Sequence, residues 1–430
     1  MKLTLPKGTR DSLPEEKIGK QKLMDDLKTI FELYGYSPID TPVIERFDVL
    51  ASKYAGGAEI LKETFKLSDQ GKRELGLRYD LTVPFARVVG MNPDLKMPFK
   101  RYQIDKVWRD GPVGLGRYRE FWQCDVDLVG TKSMMADAEV LAIAKKAMES
   151  FGLKCRINVN NRKVLNGLLG SFGVKTRDEK IDIILTIDKI KKISDKEFAK
   201  ELSLKGLDSK QIKKIKEIFS IEGSNKKKLE AVSKEITDQE GKEGVKELEE
   251  LFGLLDSYGI TNYDLELSLS RGLAFYTGTV FETFLVNNEI KSAVASGGRY
   301  DDIIPKFLDS KMDFPAVGIS FGLNRIYDAL KDKEKAAKKT VTKVFVVPIG
   351  LDKKAISIVE KLRESGINSE IDLTGRGISK NLKYANSKGI PYVLIVGENE
   401  LKESKFKLKD MISGEEKTLS LDSIISKIKK

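Results

Sequence analysis

The stretch KVWRDGPVGLGRYREFWQCDVDLVG, residues 106–130, has the pattern of a strand, a glycine-rich loop and a returning strand. Arg109 stands just before the loop, and Arg117 and Arg119 stand just after it. Guanidinium groups beside a hairpin loop suit phosphate recognition, because each can donate two parallel hydrogen bonds to an oxyanion. The stretch therefore predicts an antiparallel sheet that presents arginines to a ligand carrying phosphate.

The returning strand carries polar side chains on one of its two faces. Alternate residues of a strand point the same way, and this face holds Phe121, Gln123, Asp125 and Asp127. A face that packs into a hydrophobic core would seldom hold a glutamine and two aspartates. The pattern therefore predicts that this face lines a polar pocket.

A second stretch, GLRYDLTVPFARVV at residues 76–89, is also interpreted as a strand. Arg78, Asp80 and Thr82 would then share a face, where the carboxylate and the hydroxyl could hold an ammonium group. A half-exposed strand with an ion pair explains the same pattern, and it is the simpler interpretation of these residues alone.

A third stretch, GISFGLNRIYDAL at residues 318–330, runs from a strand into a helix with Arg325 in its first turns. Glycine-rich backbone, a helix N-terminus and an arginine together favour an anion. A structural arginine at the start of a helix is the alternative.

The size and charge of the chain limit the class of protein. Its 430 residues are enough for two or three domains. The net charge of +11 favours a polyanionic partner, with nucleic acid as the leading candidate. A generally basic proteome explains the charge equally well.

The sequence also bears on localisation. It has no run of about 18 apolar residues, and the N-terminal segment MKLTLPKGTRDSLPEE lacks an apolar core. We therefore expect neither a membrane span nor a secretory signal. Cys124 and Cys155 lie far apart without metal-ligand spacing, which is typical of reduced core residues in a cytoplasmic protein.

The chain contains no histidine. Together with the scarcity of cysteine this excludes most zinc sites, and no metal site built from protein ligands is predicted. General acid–base catalysis near neutral pH would therefore require carboxylates or lysines. A reaction whose nucleophile is already ionised needs no base, so that class of enzyme stays open.

The predicted elements change in character along the chain. An amphipathic helix over residues 14–34 is followed by strands up to residue 130, which we expect to pair in one antiparallel sheet. A helix over 136–151 and a strand over 155–159 come next. Charged amphipathic helices from about residue 188 to 257 indicate an inserted helical module or a plain solvated helical hairpin.

The hydrophilic stretch KDKEKAAKKT, residues 331–340, predicts a linker. Strands and helices alternate beyond it, which predicts a small α/β domain at 341–430 with 17 basic and 12 acidic residues. We predict an α+β domain with an antiparallel sheet at 1–170 and 258–330, interrupted by a helical insertion at 171–257.

Six motifs occur in the order in which one family of enzymes carries them. They are PKGTRD, LRYDLTVPFAR, GRYREFWQCDVD, RGLAFYTGTVFE, ASGGRYDDI and AVGISFGLNR. The chain resembles the class II aminoacyl-tRNA synthetases, and specifically the histidyl-tRNA synthetases of the archaeal–eukaryotic kind. The pattern RGL-x-aromatic-YTG at residues 271–278 is nearly diagnostic of the histidine enzyme, whereas the arginines identify the class only.

The resemblance implies a fold, an activity and partners. We expect a class II catalytic domain, and the tail GIPYVLIVGENE resembles the anticodon-binding domain of this class. The implied activity is ATP-dependent ligation of L-histidine to tRNA(His) through a histidyl-adenylate, with Mg²⁺ accompanying ATP. The segment near Pro42 resembles motif 1, which implies a homodimer.

The resemblance assigns the catalytic and phosphate-binding residues position by position. Arg109 matches the class II arginine that grips the ATP α-phosphate and the amino-acid carboxylate, and Arg325 matches its partner at the γ-phosphate. Arg271 matches the arginine peculiar to histidyl enzymes, beside the α-phosphate. Arg117 joins Arg109 and Arg325 in the expected ATP site.

The resemblance also defines a histidine site. Its expected members are the α-ammonium ligands Asp80, Thr82 and Gln123, the imidazole ligands Asp127 and Tyr276, and in addition Phe275, Arg109 and Arg271. Three positions depart from the family pattern. Ala274 stands where aspartate is usual, Phe275 where tyrosine is common, and Gln103 where related sequences often carry histidine. The loss of a carboxylate at position 274 bears on fine specificity more than on the class of reaction.

Two catalytically silent alternatives are weighed against this interpretation. One is a synthetase-like regulatory subunit of histidine biosynthesis, and the other is a module that senses uncharged tRNA. Such paralogues typically lose the anticodon domain, the RGL segment or the phosphate arginines, and all of these are present here. A class II synthetase for another amino acid is disfavoured by the RGL segment together with Asp127 and Tyr276.

Overall fold

The structure is a computed structural model that describes residues 1–52, 61–114, 117–190, 193–271, 275–308, 312–331, 339–350 and 352–429. The chain divides into two compact units. One comprises Met1–Arg10 and Leu23–Asp332, and the other comprises Asp11–Lys22 and Lys333–Lys430. None of the described helices combines the length and the apolar character needed to cross a bilayer.

The chain up to residue 331 contains strands of two sheets and a series of helices. Its strands are β1 (Ser37–Pro38), β2 (Ile44–Arg46), β3 (Lys66–Ser68), β4 (Glu74–Leu77), β5 (Phe99–Trp108), β6 (Glu120–Val129), β7 (Cys155–Asn161), β8 (Tyr263–Leu265), β9 (Thr279–Leu285), β10 (Ala295–Arg299) and β11 (Ala316–Gly322). Its helices are α1 (Pro14–Leu33), α2 (Phe47–Ser52), α3 (Thr82–Met91), α4 (Met134–Ser150), α5 (Arg162–Ser171), α6 (Arg177–Ile187), α7 (Asp195–Leu204), α8 (Ser209–Phe219), α9 (Asn225–Ser233), α10 (Gln239–Ser257), α11 (Ile303–Leu308) and α12 (Leu323–Leu330).

The main sheet has eight strands in the order β1-β5-β6-β11-β10-β9-β7-β8. The neighbours from β5 to β7 are antiparallel, and only the outer pairs β1–β5 and β7–β8 are parallel. The predicted antiparallel sheet is therefore confirmed. The expectation of one sheet is wrong, because β3 and β4 pair with β2 in a separate three-stranded sheet.

The two faces of β6 differ as the sequence predicts. Cys124 and Val126 are buried in the main apolar cluster, together with Phe31 of α1 and Ile143 of α4. Because side chains alternate along a strand, Gln123 and the two aspartates lie on the opposite face. One face of the sheet therefore packs into the core, and the other is available for a polar site.

The residues from Arg78 to Thr82 do not form a strand, and this sequence-based interpretation is wrong. Strand β4 ends at Leu77, and α3 begins at Thr82. The carboxylate of Asp80 accepts hydrogen bonds from the backbone N–H groups of Thr82 and Val83, both at 3.0 Å. An aspartate that satisfies N–H groups in the first helical turn stabilises the helix start, which explains why the chain turns into a helix here.

Arg78 has a structural role. Its side chain is fully buried, its NH2 atom lies 2.6 Å from Asp105 Oδ2, and its NH1 atom donates to Thr41 O at 2.7 Å. It therefore ties the segment after β4 to β5 and does not share a face with Asp80 and Thr82.

Helices α6 to α8 share an apolar cluster, which includes Ile184, Phe198, Leu202 and Ile215. Helices α9 and α10 are different, because Leu229 of α9 and Leu251 of α10 belong to the main cluster of the sheet and α4. We therefore propose that the helical insertion, predicted at 171–257, is limited to residues 177–219.

The C-terminal unit has a five-stranded sheet in the order β13-β12-β14-β15-β16. Its elements are β12 (Val344–Pro348), α13 (Asp352–Glu364), β13 (Ser369–Ile371), α14 (Ile378–Lys388), β14 (Tyr392–Val396), α15 (Glu398–Lys402), β15 (Phe406–Asp410), β16 (Glu416–Leu419) and α16 (Leu421–Lys429). The three parallel strands confirm the predicted α/β domain, and the antiparallel hairpin β15–β16 was not predicted. Most of the predicted linker, residues 332–338, lies outside the described residues.

Candidate active site

A pocket lies against the polar face of β6. Four residues of the expected histidine site line it: Thr82, Asp127, Phe275 and Tyr276. Its other walls come from Asp125, from Tyr300, and from the backbone of β10 and β11. The alternation read from residues 121–127 therefore places two carboxylates in one pocket.

Glycines let the backbone approach these side chains closely. Gly318 of β11 pairs with Asp127 of β6 across the sheet. A methyl group at position 318 would overlap the Asp127 carboxylate and would lie 2.8 Å from Val126 O. The Asp127 carboxylate therefore lies directly over a backbone that only glycine can provide.

Asp127 is held by two neighbours. Its Oδ2 atom lies 2.6 Å from the NH2 group of Arg101, whose side chain is 0% exposed. Its Oδ1 atom accepts a hydrogen bond from the hydroxyl of Tyr300. Burial, followed by the charge of Asp127, raises the pKa of Tyr300 well above its usual range. The phenol therefore stays a neutral donor, and Arg101 and Tyr300 together fix the Asp127 carboxylate in place.

One of the three predicted α-ammonium ligands lines the pocket, and the other two lie close to it. Thr82 lines it, and Gln123 reaches it through Ser320, since Gln123 Nε2 donates to Ser320 Oγ at 2.7 Å and Ser320 is a lining residue. The negative charge of Asp80 contributes to the raised pKa of Tyr276, which places this carboxylate nearby. The structure therefore brings these three residues around one space.

Arg271 and Tyr276 form one wall of the site. The guanidinium carbon of Arg271 lies 5.2 Å from the centroid of the Tyr276 ring, and the rings of Phe275 and Tyr276 are 4.4 Å apart. Burial raises the pKa of Tyr276 to about 12, so its hydroxyl is neutral at physiological pH. The NH1 group of Arg271 is buried and has no hydrogen-bond partner among the described residues. Ala274 lies outside the described residues, so its effect on this wall stays a prediction.

The backbone that leads into Arg271 is held by side chains at the end of β7. Asn160 donates through Nδ2 to Leu267 O at 3.0 Å and to Leu269 O at 2.8 Å. Arg162, in the first turn of α5, donates to Ser270 O at 3.2 Å. Arg271 itself has φ +54°, in the left-handed region that is rare for residues with a side chain. The roles of Asn160 and Arg162 are not predictable from local sequence patterns, because they depend on contacts with residues more than 100 positions away.

Three further arginines lie near one another at the loop after β5 and the start of α12. The Arg109 guanidinium lies 4.2 Å from the ring of Tyr79 and 5.0 Å from the ring of Phe121. Arg325 donates to Ala293 O at 2.6 Å. Burial, then the positive charges of Arg117 and Arg109, lowers the pKa of Arg325 from its ordinary value. Such a concentration of positive charge suits a polyanion.

Comparison with known proteins is consistent with this geometry. A family model described as histidyl-tRNA synthetase matches residues 8–326. The chain belongs to the histidyl-tRNA synthetase family. A second model, described as an anticodon binding domain, matches residues 343–430. The predicted family and the class II fold with a C-terminal anticodon-binding domain are confirmed.

Relatives of this synthetase family match over nearly their whole length. The histidine–tRNA ligase 1 of Bacillus cereus is 42% identical over 426 residues, which cover 99% of each chain. The crystal structure of histidyl-tRNA synthetase from Nostoc sp. PCC 7120 superposes with a TM-score of 0.86 at 31% identity, covering 100% of this chain and 99% of the other. The expected archaeal–eukaryotic character stays a prediction.

A third relative bears on the silent alternatives. It is the structure described as an ATP phosphoribosyltransferase regulatory subunit/histidyl-tRNA synthetase from Bacillus halodurans C. It superposes with a TM-score of 0.77 at 25% identity and covers 92% of this chain and 98% of its own. The synthetase fold is thus similar to that of a protein described in regulatory as well as catalytic terms.

Proposed function

We propose that the protein joins L-histidine to tRNA(His) in an ATP-dependent reaction through a histidyl-adenylate. The observation that carries the proposal is the position of a carboxylate-lined pocket beside Arg271, in a chain that also has the arginine group Arg109, Arg117 and Arg325. The pocket offers groups for an amino acid with a basic ring, and the arginines offer groups for a triphosphate.

In the first step the carboxylate oxygen of histidine attacks the α-phosphorus of ATP. A P–O bond forms to the carboxylate, the bond to the β-phosphate oxygen breaks, and pyrophosphate leaves with the electron pair. The nucleophile is already an anion, so no protein base is needed. Catalysis then rests on positioning and on the neutralisation of charge on the phosphates, which is the task we propose for Arg109, Arg271 and Arg325.

Histidine binding is proposed to use the pocket described above. Asp80, Thr82 and Gln123 would hold the α-ammonium group, while Asp127, Phe275 and Tyr276 would surround the ring. The fixed position of Asp127 between Arg101 and Tyr300 supports this role, because a preorganised carboxylate loses little entropy when it accepts a ring N–H.

Mg²⁺ is proposed to arrive with ATP. No group of three or more Asp, Glu or Cys side chains within the described part of the chain is arranged as metal ligands. Mg²⁺ usually binds in such sites through substrate phosphates and water together with one or two carboxylates. When bound, the ion would supply additional positive charge to the phosphate oxygens.

In the second step a hydroxyl of the 3′-terminal ribose of tRNA attacks the carbonyl carbon of the adenylate, and AMP leaves. We propose that the hydroxyl proton passes to a phosphate oxygen of the adenylate, since the chain has no histidine to accept it. The C-terminal unit, with 17 basic and 12 acidic residues at 341–430, is proposed to bind the anticodon arm.

The protein is proposed to act as a homodimer in the cytoplasm. The homodimer rests on the resemblance of the segment near Pro42 to motif 1. The cytoplasmic location is supported by Cys124 and Cys155, which are buried and free. Burial raises the pKa of Cys124 well above its usual value and that of Cys155 to about 11, so both are unreactive thiols.

ATP–pyrophosphate exchange measured with each amino acid in turn tests the proposal. Exchange with histidine alone, followed by charging of tRNA(His), is the expected result. Exchange with a different amino acid would show that the pocket has been misassigned. No exchange with any amino acid, from a folded protein, would favour the catalytically silent regulatory or tRNA-sensing alternative.

A further inference from the structure

The histidine pocket contains a second carboxylate that the proposed mechanism leaves without a role. Asp125 lies on the same face of β6 as Asp127, lines the same pocket, and is 3% exposed. It pairs with Gln103 of β5 and with Ser320 of β11 across the sheet. It is therefore positioned by three strands of the main sheet and not by a loop.

The two carboxylates differ in their partners. Asp127 contacts Arg101 and Tyr300. The carboxylate of Asp125 receives a hydrogen bond from the hydroxyl of Ser320. Its Oδ1 atom, however, is buried and has no hydrogen-bond partner in the described part of the structure. A buried carboxylate oxygen without a donor is unfavourable, so this atom is suited to a donor supplied by a ligand.

The charges around Asp125 come from several elements. Arg101 of β5 is positive, Asp127 of β6 and Asp80 before α3 are negative, and the phenols of Tyr276 and Tyr300 are neutral. The one guanidinium among them lies against Asp127. Burial raises the pKa of Asp125 to about 7, with Arg101 opposing and Asp127 and Asp80 adding to the shift. Asp125 therefore exchanges its proton near neutral pH.

We propose that Asp125 is a specificity-determining residue that binds a ring N–H of the substrate histidine and shares one proton with the imidazole. This inference rests on the proposed function. An imidazole has an ordinary pKa of about 6.5, close to that of the buried carboxylate, so the two groups compete evenly for one proton. A neutral acid beside a neutral ring and a carboxylate beside an imidazolium have the same net charge, and the site accepts both.

The shared proton determines how the affinity for histidine changes with pH. Below about pH 6.5 both groups carry a proton before they meet, so binding releases a proton. Above about pH 7 neither group carries one, so binding takes up a proton and weakens as the pH rises. Proton uptake and release on binding would be abolished by a ligand whose ring cannot carry the proton, and also by a neutral residue at position 125.

Titration calorimetry of histidine binding to the full-length protein tests the proposal. At pH 7.5, in PIPES and in Tris, the difference in binding enthalpy gives the number of protons taken up. We expect the wild type to take up about one half to one proton for each histidine bound. Asp125→Asn is expected to take up none and to bind histidine on the order of 10- to 100-fold more weakly, as for loss of a hydrogen bond to a charged group.

Asp94→Asn is the matched control, because Asp94 is exposed and is an aspartate outside the pocket. It should behave as the wild type does. Zero proton uptake by the wild type, or unchanged uptake by Asp125→Asn, would overturn the role of Asp125. The wild-type measurement decides the question even if Asp125→Asn fails to fold. If histidine supports pyrophosphate exchange but its binding takes up no proton, the role of Asp125 is refuted and the proposed function stands. If the protein neither binds histidine nor catalyses exchange, the proposed function is refuted as well.

Discussion

Arg271 combines three properties that are unusual in one residue. Its backbone is left-handed, its side chain lies against Tyr276, and its buried NH1 group has no partner among the residues described. An unsatisfied buried guanidinium nitrogen is costly, so this group is suited to an anion that arrives with the substrates. In the proposed reaction that anion is the α-phosphate.

Arg271→Ala is therefore expected to lower the rate of ATP–pyrophosphate exchange on the order of 100-fold or more, with a much smaller change in histidine affinity. Arg271→Lys should recover part of the rate, because it keeps the charge but loses the planar fork. Arg156→Ala, at an exposed position on β7, serves as the control. Equal losses in rate and in histidine affinity would mean that Arg271 only maintains the loop.

Gly318 offers a test of the pocket that leaves its polar groups unchanged. A methyl group there overlaps the Asp127 carboxylate, so Gly318→Ala must displace Asp127 from Arg101 and Tyr300. We expect the KM for histidine in pyrophosphate exchange to rise at least tenfold, with a smaller change in the KM for ATP. Gly253→Ala is the control, because a Cβ at Gly253 meets no atom within 4 Å. An unchanged KM for histidine would place the substrate elsewhere.

Strand β7 connects the sheet to the Arg271 segment. Asn160, at its end, supplies both donors that hold Leu267 O and Leu269 O. Asn160→Ala leaves two carbonyl groups without these bonds, at a cost of about 1 kcal/mol for each. We expect Asn160→Ala to lower the kcat of ATP–pyrophosphate exchange on the order of tenfold, with little change in the affinity for histidine. Asn262→Ala, which removes an equivalent bond to Cys155 O, should leave kcat unchanged.

Prediction from sequence succeeded for elements whose pattern is local. Strands β5 and β6 were predicted from their alternation, and the polar face of β6 does line the pocket. The interpretation of Arg78, Asp80 and Thr82 as one strand face failed, because alternation over five residues does not distinguish a strand from a turn into a helix. The capping contacts of Asp80 decide that question, and they are visible only in three dimensions.

Site residues that act across the sheet were not predictable in the same way. Asp127 is contacted by Arg101 of β5, by Tyr300 just after β10 and by Gly318 of β11. These residues come together only through the pairing of β5, β6, β10 and β11. A single sequence does not specify which residues face each other across strands that are up to 200 residues apart. The resemblance supplied residue roles one by one, but not the contacts that hold those residues.

At the scale of the whole molecule, the two units are proposed to do separate tasks. Deletion of residues 341–430 should raise the KM for tRNA(His) in charging at least tenfold, because the anticodon contacts are lost, while exchange should continue. ATP–pyrophosphate exchange by the shortened chain serves as the internal control, because it shows that the remaining chain is folded. An unchanged KM for tRNA(His) in charging would contradict the proposed role of the C-terminal unit in anticodon binding.

The pocket around Asp125 is lined by carboxylates, phenols, hydroxyl groups and backbone. Because the chain contains no histidine, the protein contributes no imidazole to any spectrum of the complex. Imidazole carbon-bound protons in a nuclear magnetic resonance spectrum of the bound state would therefore come from the substrate alone. The protonation of the bound ring could then be followed directly as the pH is changed, in unlabelled protein. A recombinant protein for that measurement should carry no polyhistidine tag, since the tag would introduce the signal that the natural sequence leaves out.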